Sequence, residues 1–100
     1  MAGYQRKTVL GLEAILAEAE SLLPERLGVS RTKQSADGAT YTGAEGTVVI
    51  SVHSHGAYTV VVADTDRLRT SRMDIEVQRF LNRLPYEPGD AGGSGPDDAN

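Results

Sequence analysis

Apolar and polar positions alternate most clearly in residues 46–63, GTVVISVHSHGAYTVVVA. Val, Ile, Thr and Tyr fill both arms of this run, the residue types that fit a pleated, half-buried surface. The run reads as a β-hairpin with Ser54, His55 and Gly56 at its tip. A two-residue turn at His55 and Gly56 mixes valines with Ser51 and His53 on one face. A three-residue loop over 54–56 sets Val52 against Tyr58, Ile50 against Val60 and Val48 against Val62. It leaves Thr47, Val49, Ser51, His53, Ala57, Thr59, Val61 and Ala63 on the other face. The three-residue register separates apolar from polar better, and a slip of one residue inverts every side chain. It requires positive φ at Gly56, which glycine adopts without steric cost.

Upstream, Val9, Leu12, Ile15, Leu16, Ala19, Leu22 and Leu23 form a stripe of helical period. It predicts a helix over 5–23, ended at Leu23 by Pro24. Residues 27–35, LGVSRTKQS, predict a strand with the basic residues typical of a sheet edge. Asp37-Gly38 marks a turn, 39–42 a short strand, and 43–46 a second turn that sets Tyr41 against Val48. Downstream of the hairpin, Ser71 and Asp74 resemble a capping box, with Asp66 as a competing earlier start. Met73, Val77, Phe80, Leu81 and Leu84 give the second helix its apolar stripe, and Pro85 stops it. The expected fold is α+β: a four-stranded antiparallel meander with an N-terminal and a C-terminal helix on one face (α-β-β-β-β-α). The expected domain spans 1–86. Residues 87–100 are rich in Gly, Pro and Asp, lack aliphatic side chains beyond Ala91 and Ala99, and are expected to be disordered and dispensable.

Composition narrows the function classes. The 100 residues make one domain, and one Phe with no Trp implies an aliphatic core. The absence of cysteine excludes disulfide and thiolate chemistry. The formal charge of −4 arises in the tail, since residues 1–84 hold ten basic and ten acidic side chains. A neutral folded part offers no footprint for nucleic acid or anionic lipid, so neither is expected as a partner. No apolar run reaches the ~20 residues of a membrane span. Glu13, Glu18 and Glu20 interrupt any signal-peptide core, so the expected location is cytoplasmic.

Candidate chemistry is sparse. His53 and His55 are spaced to share a strand face and offer two imidazoles, yet a metal site takes three or four ligands, and two solvated turn histidines explain them as well. Asp64 and Asp66 bracket the sheet exit, where capping explains both. Arg67, Arg69, Arg72, Arg79 and Arg83 make the second helix region basic, and local ion pairs explain them. The glycines at 43 and 46 join strands, where no phosphate loop belongs. No catalytic constellation and no cofactor motif stands out, so the chain is not expected to be an enzyme or to carry a cofactor. The outer hairpin face is less polar than a solvated face should be. With Leu68 and Ile75, which fall off the helix stripe, Val49, Val61, Thr59 and Ala63 form the candidate partner-binding surface. The leading expectation is a small interaction or oligomerisation module, either a homodimer or bound to another protein. The alternatives are a binder of a small apolar ligand and a metal protein using His53 and His55.

The order of helix, meander and helix resembles that of small granule-associated proteins of polyhydroxyalkanoate-storing bacteria, and that of the frataxin fold. The frataxin likeness would imply an acidic ridge and a Trp, and this chain has neither. A shared architecture carries no function by itself.

Overall fold

The structure, a computed structural model, describes residues 2–85. The expected tail over 87–100 lies outside the described residues. The elements run β1 (Ala2–Thr8), α1 (Leu12–Leu27), β2 (Ser30–Ser35), β3 (Gly38–Gly43), β4 (Gly46–Ser54), β5 (Thr59–Thr65) and α2 (Arg72–Asn82). The five strands form one antiparallel sheet in the order β1-β5-β4-β3-β2. The α+β class and the β2-to-β5 meander agree with the sequence. The strand count is five and not four, and a strand precedes the first helix, which departs from the helix-first order of both resembled folds.

β1 is the added strand, in a segment expected to begin the helix. It pairs with β5 from Ala2↔Thr65 to Thr8↔Thr59. Its inward positions are not uniformly apolar, because two of them serve the far end of the chain. The Arg6 guanidinium donates to the Leu84 carbonyl at 3.1 and 2.6 Å. The Thr8 hydroxyl donates to the Pro85 carbonyl, which also accepts from Val9 N–H at 3.1 Å. These donors satisfy carbonyls just past the end of α2.

α1 starts at Leu12 and continues through Pro24 to Leu27. Proline removes one bond to the carbonyl four residues back, here that of exposed Glu20, which water can reach. Ile15, Ala19, Leu23 and Leu27 repeat every fourth residue and are all buried, so carrying the helix one turn further brings Leu27 into the core. Gly28, at φ 66°, closes the helix with its N–H on the Pro24 carbonyl at 2.8 Å.

α2 begins where Ser71 and Asp74 predict. The Ser71 hydroxyl accepts from Asp74 N–H at 3.1 Å and donates to the Asp74 carboxylate at 2.8 Å. Tyr41 pairs with Val48 as expected. A single apolar cluster unites Ile15, Ala19, Leu23 and Leu27 of α1 with the α2 side and with Tyr41, Val48, Ile50, Val52, Val61 and Ala63 of the sheet. Each fully buried aliphatic side chain contributes roughly 1.5–3 kcal/mol.

The hairpin register differs from expectation. β4 and β5 pair from Val48↔Thr65 to Ser54↔Thr59, with a four-residue loop over 55–58. Gly56 has the expected positive φ, 77°. The inward row of β5 is therefore Thr59, Val61, Ala63 and Thr65, all buried. Val60, Val62 and Asp64 face outward. The alternative would have placed Asp64, which shares its parity with Val60 and Val62, on the apolar side without a partner.

Candidate functional site

The strand registers line up two rows of outward positions across the sheet. Gly3, Asp64, Val49, Thr40 and Lys33 are successive neighbours from β1 to β2. So are Gln5, Val62, Ser51, Gly38 and Ser35. The helices pack with the opposite set of strand residues, so this face is open among the described residues. Val49 is 38% exposed there, and Val60 and Val62 are half-buried by their neighbours. Around them lie hydroxyls and few charges.

Several details shape the face. An open hollow of about 390 Å³ lies beside Gly38, lined also by Lys33, Ser35, Thr40, Val49 and Ser51; Gly38 itself is buried, and a Cβ there would meet the Ile50 carbonyl. The Asp64 carboxylate leans over β1, with Oδ1 2.6 Å from where a Cβ on Gly3 would stand. Any larger residue at 3 would displace it. Asp64 and Lys33 have no ion-pair partner among the described residues, whose ion pairs use other groups. At one corner Lys7 Nζ sits 4.9 Å from the Tyr58 ring centre, and His55 stacks on Tyr58 at 5.3 Å.

Of the expected contact residues, Val49 lies on this face. Val61, Thr59 and Ala63 do not: Val61 and Ala63 are fully buried and Thr59 is nearly so, because the register turns them toward the helices. Val60 and Val62 take their places. The unbroken valines at 60–62 carry no alternation, so the hairpin sequence leaves their facing open; the parity of Asp64 was the available signal. Leu68 is 72% exposed in the loop before α2 and Ile75 44% exposed on the solvent side of α2. Both belong to the helical side of the domain and do not extend the sheet face.

The other candidates take ordinary places. His53 is outward on β4 and His55 is in the loop; both are exposed, and no group of three or more metal-ligating side chains exists among the described residues. Asp66 accepts from Thr47 N–H at 2.9 Å and pairs with Arg67 at 3.7 Å, apart from the work of Asp64. Arg72 pairs with Glu45 and reaches the Arg26 carbonyl, Arg79 pairs with Glu76, and Arg83 with Glu18. Arg69 lies over the Tyr4 ring at 5.1 Å.

One polar cluster went unread in the sequence. Asp74 is fully buried, and its carboxylate accepts from Tyr4 at 2.6 Å, from Thr65 at 2.8 and 3.0 Å and from Ser71 at 2.8 Å. Burial, and donation to the negative Asp74, raise the Tyr4 pKa, opposed by Arg69. Every donor comes from β1, β5 or the cap, so the carboxylate fastens α2 to the sheet and is closed to a ligand. A second tyrosine, Tyr41, is buried and donates to Glu20 at 3.0 Å, while Arg31 pairs with Glu20 at 3.4 Å. Burial first, then the bond to Glu20, pushes the Tyr41 pKa up to about 12.

Fold and surface together define a small α+β domain with a five-stranded antiparallel sheet that both helices cover on the same side. No protein-family model matches the chain, and no curated protein is significantly similar to it. Among the described residues, no helix is long and apolar enough to cross a membrane.

Proposed function

We propose that this protein is a small non-enzymatic assembly module that acts through the open face of its sheet. The observation that carries the reading is the valine stripe of Val49, Val60 and Val62 on a face that neither α1 nor α2 covers. Apolar area left in water forgoes roughly 25 cal/mol per Å². Contact through the face is favoured over strand addition at an edge. β2 carries Arg31 and Lys33 with a register break between them, and β1 carries Arg6 and Lys7. Charges and bulges of this kind discourage edge pairing.

The test is the mass of the chain in solution from about 10 µM to about 1 mM, a range that brackets a weak protein contact. Concentration-dependent association is expected, and the double change Val49→Lys with Val62→Glu abolishes it while the far-ultraviolet spectrum is kept. A wild-type monomer at the top of that range overturns the reading.

A further inference from the structure

The open face carries complementary features on its two halves. We propose that two copies of this chain stack face to face about a two-fold axis running along β4, so that β5 lies over β3 of the second copy and β1 over its β2. The proposal rests on the reading of this face as the contact surface, and it names the partner and the pairing.

The registers determine which residues meet. A two-fold axis along β4 sets each outward residue against the position equally far from β4 on the other side. Val49 then meets Val49 of the second copy. Val62, one strand to one side, meets Gly38, one strand to the other. A half-buried valine thus faces the hollow of about 390 Å³. Lys33, two strands out, meets Gly3, over which the Asp64 carboxylate lies. Lys33 and the leaning Asp64 carboxylate, neither of which has an ion-pair partner among the described residues, are brought together, twice per dimer. Thr40 meets Asp64 as well, a hydroxyl against a carboxylate, and Gln5 meets Ser35. Aligned sheets cross at about 30°, and the flexible four-carbon stem of Lys33 absorbs the resulting offset at the outer strands.

A second copy fits better than an unrelated partner for this reason: Val62 and the hollow at Gly38 lie on the same face at matched distances from β4, and the Asp64 carboxylate leans from β5 over Gly3, the position that mirrors Lys33. Two-fold dimers are also the commonest assemblies. Five strands at about 4.8 Å and six residues at about 3.3 Å give a footprint near 500 Å² per copy. The total near 1,000 Å² sits at the lower limit of specific interfaces, so a weak, reversible dimer is expected.

Charge exchange tests the pairing in the full chain. Lys33→Glu and Asp64→Lys each place like charges together twice, and each should weaken association at least about fivefold. An equimolar mixture of the two variants restores opposite charges at both contacts, and its association should recover to the wild-type value. If both variants associate as tightly as wild type, or if the mixture does not recover, the proposed pairing is overturned. The Val49→Lys, Val62→Glu variant separates the two ideas. If it is monomeric while charge exchange has no effect, the open face stands as the contact surface and only the pairing falls. A monomeric wild type at about 1 mM removes both.

Discussion

Replacing Asp74 by Ala tests the idea that one buried carboxylate holds α2 to the sheet. Its two oxygens receive three side-chain hydroxyls, from Tyr4, Thr65 and Ser71. A hydrogen bond to a charged group contributes about 1.5–3 kcal/mol net, and bonds sharing one acceptor group do not add fully. After truncation, half-buried Tyr4 can turn to water. Thr65, at 2% exposure, cannot, and it keeps only two long contacts to Arg67, accepting from its N–H at 3.3 Å and donating to its carbonyl at 3.4 Å. The combined loss is about 3–5 kcal/mol, a large share of the 5–15 kcal/mol typical of a domain. A domain of this size loses about 4–8 °C of melting temperature per kcal/mol, so Tm should fall by about 12 °C or more. Urea unfolding followed by circular dichroism reads the change directly, as a lower midpoint at unchanged slope. Tyr4→Phe and Thr65→Val should each cost about 1–2 kcal/mol, and the double variant should cost less than their sum. A loss below about 1 kcal/mol for Asp74→Ala would show that the helix is held by apolar packing alone and would refute the argument.

The hairpin register is checked by charge insertion on adjacent residues. Val61→Lys should unfold the domain, while Val60→Lys should leave it folded by circular dichroism; the reverse outcome would restore the three-residue loop. Gly56→Val should cost at least about 1 kcal/mol in urea unfolding, because a β-branched residue at φ 77° is strained. For Tyr41, the folded-state pKa lies above the ordinary 10.0, so its contribution is complete below pH 10 and is lost as pH rises toward 12. Phenolate absorbance, with Tyr41→Phe as the reference, should show one late-titrating tyrosine accompanied by falling stability. Ionisation of Tyr41 near pH 10 would contradict its burial against Glu20.

Local chemistry made much of this fold legible. The Ser71 hydroxyl and the apolar stripe beginning at Met73 specify α2 within a few residues of chain. The turn over 43–46 sets Tyr41 against Val48, and the alternation at Val48, Ile50 and Val52 identifies the inward face of β4. Each depends on neighbours close in sequence, so composition and spacing suffice. Three features depend on distant partners. β1 has a mixed inward row because Arg6 and Thr8 bind carbonyls near residue 85, and no local pattern reports that demand. α1 passes through Pro24 because burial of Leu27 against the sheet outweighs one lost backbone bond, a balance that propensity alone resolves the other way. The contact face illustrates the limit most plainly. Three consecutive valines fit either side of a strand equally well. The tertiary structure decides between them, by aligning β5 with β1 as well as β4, giving Thr65 a buried carboxylate and leaving Asp64 to water.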